Sequence, residues 1–155
     1  MTVLPANTHV FVKRSVFKMT LAQLQAFHQD PSALRKLTPP PIFMRLHDDR
    51  RTSITEGEIE FTLWFGPLPV RWTARHASLD TGTGFRDYQV KGPLAYWNHE
   101  HIMEDVEGGA ALTDRITIAH HPGLRGILTR LMFDGIPLQI LFAYRHWRTA
   151  RAVEN

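Results

Sequence analysis

Between residues 41 and 119 apolar and polar positions alternate in six runs, 41 to 48, 57 to 65, 69 to 79, 84 to 91, 95 to 106 and 110 to 119, separated by Gly and Pro turns. A period of two marks a strand with one dry and one wet face, so the runs predict an antiparallel meander. Upstream, β-branched residues from Thr8 to Val16 predict a first strand. Thr20 and Gln23 have capping-box spacing and predict a short helix through Phe27, and Asp30-Pro31 opens a second that ends at TPPP. From Pro122 the period becomes helical in LRGILTRLMFDGIPLQILFAYRHW, which predicts one long C-terminal helix with a kink near Gly135 and Pro137. Its apolar residues fall in two stripes, Leu124, Leu128, Leu131, Leu138 and Phe142 on one side and Phe133, Ile136, Ile140, Tyr144 and Trp147 on the other. Such a helix is expected to be covered on both sides.

Loop parity decides which side chains share a face of the meander. A GPLP loop at 66 to 69 sets Phe65 opposite Val70, and TGTG at 81 to 84 sets His76 opposite Gln89. A three-residue loop at Gly92-Pro93-Leu94 sets Asp87 opposite His99 and Gln89 opposite Trp97, and a Gly108-Gly109 turn sets His101 opposite Ile116 and Met103 opposite Asp114. One face then carries Ile59, Phe61, Leu63, Phe65, Val70, Trp72 and Ala74, together with His76, Asp87, Gln89, His99, His101 and Asp114. The other carries Glu58, Glu60, Arg71, Arg75, Arg86, Glu100 and Arg115, with Glu60 paired to Arg75 and Arg86 to Glu100. The anomaly is the titratable groups on the dry face, because leaving one unpaired costs about 1 to 3 kcal/mol or more.

The pattern FxDxQxxGPxxxWxHxH, formed by Phe85, Asp87, Gln89, Gly92, Pro93, Trp97, His99 and His101, resembles a branch of the START-like, or SRPBCC, superfamily of Bet v 1-like helix-grip proteins, the branch labelled polyketide cyclase/dehydrase-like. The resemblance extends to Leu37 to Pro40, Glu56-Gly57, the Trp72 strand, the Gly-Gly turn before Asp114 and Phe142 to Arg145, and so covers nearly the whole chain. It implies an α+β helix-grip domain over residues 1 to 155, in which about seven antiparallel strands wrap the C-terminal helix around a cavity for a lipid, sterol, polyketide or other apolar molecule. Where relatives have an aromatic residue after the second His, this chain has Met103.

Composition narrows the function classes. The formal charge is +3, and the arginines from Arg14 to Arg151 are interspersed with acids rather than clustered, so nucleic acid is not implied. The absence of cysteine excludes disulfides, thiolate catalysis and Cys-ligated zinc. The N-terminus lacks the regions of a signal peptide and no run suggests a membrane span, so the cytoplasm is the expected location. A homodimer is one expected assembly, with Trp64 and Ile102 on the wet face as candidate contacts.

Binding of a small, largely apolar molecule is the preferred function, with walls expected from Phe61, Leu63, Trp72, His76, Gln89, Trp97, Met103, Leu128, Leu131 and Met132. The alternative is a cyclase, aromatase or dehydratase in which His99 and Asp87 form an acid-base pair, with His101 and Asp114 beside them. Two histidines at i and i+2 also suit a metal, but no third ligand is adjacent in sequence and the resembled family is not typically metal-dependent, so no metal or cofactor is expected. A further alternative is structural, the histidines being hydrogen-bonded to the acids within the core. His120-His121 reads as a solvated turn, and His9, His28 and His47 as structural or exposed.

Overall fold

The computed structural model describes residues 3–153. The strands are β1 (His9–Phe17), β2 (Phe43–Asp49), β3 (Gly57–Phe65), β4 (Leu68–Ala77), β5 (Gly84–Lys91), β6 (Tyr96–Val106) and β7 (Gly109–Ala119). The helices are α1 (Leu21–Gln29), α2 (Ala33–Lys36), α3 (Leu124–Phe133) and α4 (Gly135–Ala150). The strands form one antiparallel sheet in the order β1-β7-β6-β5-β4-β3-β2. The capping box closes the start of α1: Thr20 accepts from the Gln23 backbone while Gln23 accepts from that of Thr20.

One hairpin has the expected register, with Asp87 opposite His99. The other three are displaced by two residues: Phe65 faces Leu68, His76 faces Asp87, and His101 faces Asp114. The β3–β4 and β6–β7 loops are two-residue turns, and the second holds Gly108 at φ +86°, a conformation that costs glycine little. Between β4 and β5 a bulge at Thr73/Ala74 shifts the ladder. A shift of two leaves every side chain on its face, so the dry and wet faces are as the alternation gave them. The wet-face ion pairs do change partners. Arg71 pairs with Glu60, Arg75 with Glu58, and Glu100 with Arg115 rather than Arg86.

The C-terminal segment is two helices, not one. Asp134 adopts an extended conformation between them and caps α4, its carboxylate accepting from the Gly135 backbone at 2.8 Å. Pro137 therefore lies in the first turn of α4, where its missing N–H has no intrahelical acceptor to lose. The extended residue resets the helical phase, and neither stripe survives intact. Phe133, from one stripe, joins Leu138 and Phe142, from the other, against the sheet.

Most of the remaining stripe residues face outward, Tyr144 being half-buried. Leu124, Leu128, Leu131, Ile136 and Ile140 are 47 to 72% exposed. The helix pair is long and apolar enough by composition to cross a membrane, but its Phe133–Leu138–Phe142 side is built into the domain core. In the space where a cavity was expected, Trp72 meets Trp97 at 5.4 Å and Phe133 at 5.5 Å, and Phe11 meets Phe142 at 5.5 Å. Aromatic rings line it.

This orientation predicts that Phe142→Ala, which empties a fully buried position, lowers unfolding free energy by about 3 to 5 kcal/mol. Ile140→Ser on the outward face changes it by no more than about 0.5 kcal/mol. Urea unfolding of both variants checks the assignment of the two sides.

Candidate functional site: a buried histidine and aspartate network

The dry-face histidines and acids converge where β5, β6 and β7 lie side by side. Register explains it: Asp87 faces His99 across β5–β6, and His101 faces Asp114 across β6–β7, so the four side chains rise from one patch of the same face. His146 on α4 closes the patch from the helix side.

The hydrogen bonds run diagonally. His99 Nε2 donates to Asp114 Oδ1 at 2.6 Å, and His146 Nε2 donates to the other oxygen at 2.6 Å. The second nitrogen of His146, Nδ1, is hydrogen-bonded to Ser15 Oγ at 2.7 Å. His101 Nε2 donates to Asp87 Oδ2 at 2.8 Å. The expected Asp87–His99 pair is therefore corrected: they are opposite in register, but His99 Nδ1 is 3.6 Å from Asp87, and Asp114 orients the ring.

His99, His101, Asp114 and His146 are each at most 6% exposed. At that depth the charge states are constrained. Burial would raise the pKa of Asp87, but the hydrogen bond from His101 and the nearby imidazoles outweigh it and hold this carboxyl well below its usual range. Asp114 is likewise held well below, three imidazoles outweighing the cost of burial. Burial, assisted by His101, lowers His99. His101 goes the other way: burial pushes it down, but the Asp114 and Asp87 carboxylates raise it. Its Nδ1 stands 3.2 Å from Asp114 Oδ1, an ion-pair distance without the alignment of a hydrogen bond. The two rings are thus biased in opposite senses, the carboxylates favouring the charged form of His101 and burial the neutral form of His99.

Arg145 supplies a further positive charge near the patch. Burial lowers its pKa, while the field of Asp114 and Asp87 acts to raise it. Its guanidinium lies 5.2 Å from the Phe142 ring centroid and donates to the Leu37 carbonyl at 3.2 Å. Arg145 thus adds to the positive field around the two carboxylates.

The remaining motif residues hold this patch in place. Phe85 stacks on His101 at 4.0 Å and on His76 at 5.6 Å. His76 Nδ1 donates to the Ile54 carbonyl. Gln89 is a loop staple: its amide donates to the Leu94 carbonyl at 2.8 Å and accepts from the Leu94 N–H at 3.0 Å. It occupies the space a side chain at position 92 would take, since a Cβ there would lie 2.4 Å from Gln89 Oε1. The Gln-x-x-Gly spacing therefore reflects packing.

Of the other expected wall residues, Phe61, Trp72, Trp97 and Met103 are buried, while Leu63 and Met132 are half-buried at the edge of the main core. Leu128 and Leu131 point away from the sheet, at 47 and 68% exposed. Sequence reasoning did not place His146 or Ser15 at the site, and read His28 as structural or exposed without linking it to the patch. His28 is buried, donates to the Leu24 carbonyl, and meets the His101 ring at 6.0 Å. A signal existed for two of them, because His28 follows the buried Leu24, and His146 the buried Phe142, by one helical turn. His120 is corrected as well. It is buried and bonded to Thr129 and Asp134, not solvated.

An open cleft lies elsewhere. Where β5 ends at Lys91, residues Leu68–Trp72 of β4 pair only with β3, and a cleft of about 520 Å³ opens between β4, the 92–93 loop and Arg125 of α3. Its walls include Val70, Trp72 and Pro93, with Glu60, Arg71 and Lys91 also lining it. None of the network residues lines it.

No family model matches the chain, and no curated protein matches it. Solved structures do. Protein CV1439 from Chromobacterium violaceum aligns with TM-score 0.68 at 14% identity, over 94% of this chain and 98% of that one. Ara h 8.0201 aligns with TM-score 0.63 at 12% identity, over 96% of this chain and all of that one. The chain has the Bet v 1-like helix-grip fold. The nucleoside-diphosphate sugar epimerase from Corynebacterium glutamicum also contains this helix grip, with TM-score 0.66 at 23% identity over 91% of this chain but 28% of that longer one.

The charge states predict loss of stability in mild acid. Burial first, then His101, pushes the pKa of His28 from 6.5 down to about 4. The unfolded chain therefore takes up a proton below about pH 6.5 that the folded chain refuses until about pH 4, so stability falls with pH across that window. His28 alone contributes about 3 kcal/mol of this loss. His99 and His76, also lowered, add to it, while the raised His101 opposes it by favouring the folded state below its own pKa. Urea unfolding between pH 7.5 and 4.5 should show this decline, and His28→Gln should flatten it.

Proposed function

We propose that this helix-grip protein binds a small, largely apolar molecule, admitted through the cleft beside Trp72 toward the space between the sheet and the C-terminal helices. The observation that carries the reading is that cleft of about 520 Å³, a volume within the range of small-molecule sites, set against the aromatic wall of the core. The resemblance to the polyketide cyclase/dehydrase-like branch of the START-like proteins supports the same ligand class.

Two features suit the cleft to ligand entry. The first is the attachment of α3, which buries Gly126, Thr129 and Phe133 and joins α4 through the extended Asp134 and Gly135 at φ +55°. Displacing this short helix would open the rings of Phe133, Trp72 and Trp97 while α4 stays anchored by Leu138 and Phe142. The second is charge. Arg71, Lys91 and Arg125 outnumber Glu60 around the rim, which favours an apolar molecule carrying an acidic group. The His99–Asp114 network serves in this account to fix the sheet and α4.

The test is titration with 1-anilinonaphthalene-8-sulfonate, an aromatic ring system bearing an acid. Saturable binding at one equivalent with quenching of tryptophan emission is expected. Lys91→Glu, at an exposed rim position, should weaken it at least tenfold, and Ile140→Ser should leave it unchanged. Binding that survives Lys91→Glu and is lost in Ile140→Ser would place the dye on the outer helix face and overturn the reading.

A further inference from the structure

A second cluster, outside the network and the cleft, joins β1, the end of β7 and the break between the helices. His9, His120 and Asp134 each offer a ligand atom within 4.8 Å of the others. His120 Nε2 is 2.7 Å from Asp134 Oδ2, and His9 Nε2 is 2.9 Å from the same oxygen.

The hydrogen bonds around His120 leave two tautomers open to it. His120 Nδ1 lies 2.7 Å from Thr129 Oγ1, and that hydroxyl also reaches the Gly126 carbonyl at 3.2 Å, so it can donate to either. When it donates to the ring, the ring proton sits on Nε2 and is donated to Asp134. When it donates to Gly126, Nδ1 carries the ring proton and Nε2 offers a lone pair on the Asp134 side. His9 Nε2 faces the same carboxylate, with Nδ1 3.5 Å from the Asn7 carbonyl. Asp134 Oδ1 also accepts from the Gly135 N–H. Two imidazole nitrogens and one carboxylate oxygen thus converge on one point, and the second tautomer frees a ring nitrogen to act as a ligand.

We infer that His9 Nε2, His120 Nε2 and Asp134 Oδ2 form a binding site for a divalent transition-metal ion of the zinc class. Two neutral imidazoles and one carboxylate are a donor set that zinc accepts, and a thiolate is not needed. Thr129 and the Gly135 N–H act as the outer groups that orient ring and carboxylate. His9 is 46% exposed, so a fourth position opens to solvent and the ring can move outward. That freedom matters because metal–ligand bonds of about 2.1 Å set neighbouring donors roughly 3.4 Å apart, wider than the contacts here. Bound metal would tie the hinge at Asp134 to β1 and β7.

The test uses the intact protein, stripped with a chelator and titrated with Co²⁺ and then Zn²⁺. One equivalent should bind with the visible absorption of four-coordinate Co²⁺, and Zn²⁺ should displace it. His9→Ala, at an exposed edge position, should keep the circular dichroism spectrum of the parent and weaken binding at least tenfold. Asp134→Asn should weaken it as well. Absence of binding at micromolar metal would overturn the site and leave two histidines hydrogen-bonded to one carboxylate. Parental affinity in His9→Ala would overturn it in favour of another cluster, Asp87 with His99 and His101 being the alternative to examine.

Discussion

The structure depends on two carboxylates withdrawn from water, Asp114 almost fully and Asp87 with 19% of its side chain still exposed. Asp114 is 3% exposed and is contacted by His99, His146 and His101, while Asp87 is bonded to His101. A carboxylate at such depth is tolerated where opposite charge and hydrogen bonds replace its hydration. The compensation comes from β6, from α4 and, through Ser15, from β1, so the network ties the centre of the sheet, its edge and the gripping helix together. Removing one member leaves a buried charge without its partner, which makes the cluster a determinant of how α4 sits on the sheet.

This network also explains why the helix packs with a side less apolar than the one it exposes. The inward positions of α4 are Leu138, Phe142, His146 and Thr149, while Ile136 and Ile140 face outward. Hydrophobicity alone would favour burying the isoleucines. Phe142 contacts the His99 ring at 5.2 Å and His146 bonds Asp114, and these contacts set the rotation of the helix.

Much of the fold was legible because alternation survives errors of register. All seven strands and both short helices lie close to their expected positions, and the two faces are correct although three hairpins are displaced by two residues. A displacement of one would have inverted the sheet. The helix orientation was not legible, because Asp134 interrupts the phase on which stripe assignment relies and because a polar network outranks apolar content at His146. Diagonal pairing was hidden for a related reason. Sequence gives the residue opposite, but side chains as long as histidine reach the next pair along the strand, so His99 finds Asp114 instead of Asp87. Gln89 looked like a ligand-facing amide, and its role became visible once the missing side chain of Gly92 was seen to make room for it.

The account turns on Asp87 and Asp114 favouring the protonated form of the His101 imidazole between them. Long-range ¹H–¹⁵N correlation of the histidine rings at pH 7 measures this directly, because imidazolium nitrogens and the two neutral tautomers have distinct shifts. The account predicts that His101 carries protons on both nitrogens and that His99 is neutral with its proton on Nε2. A neutral His101, or a proton on His99 Nδ1, would contradict it.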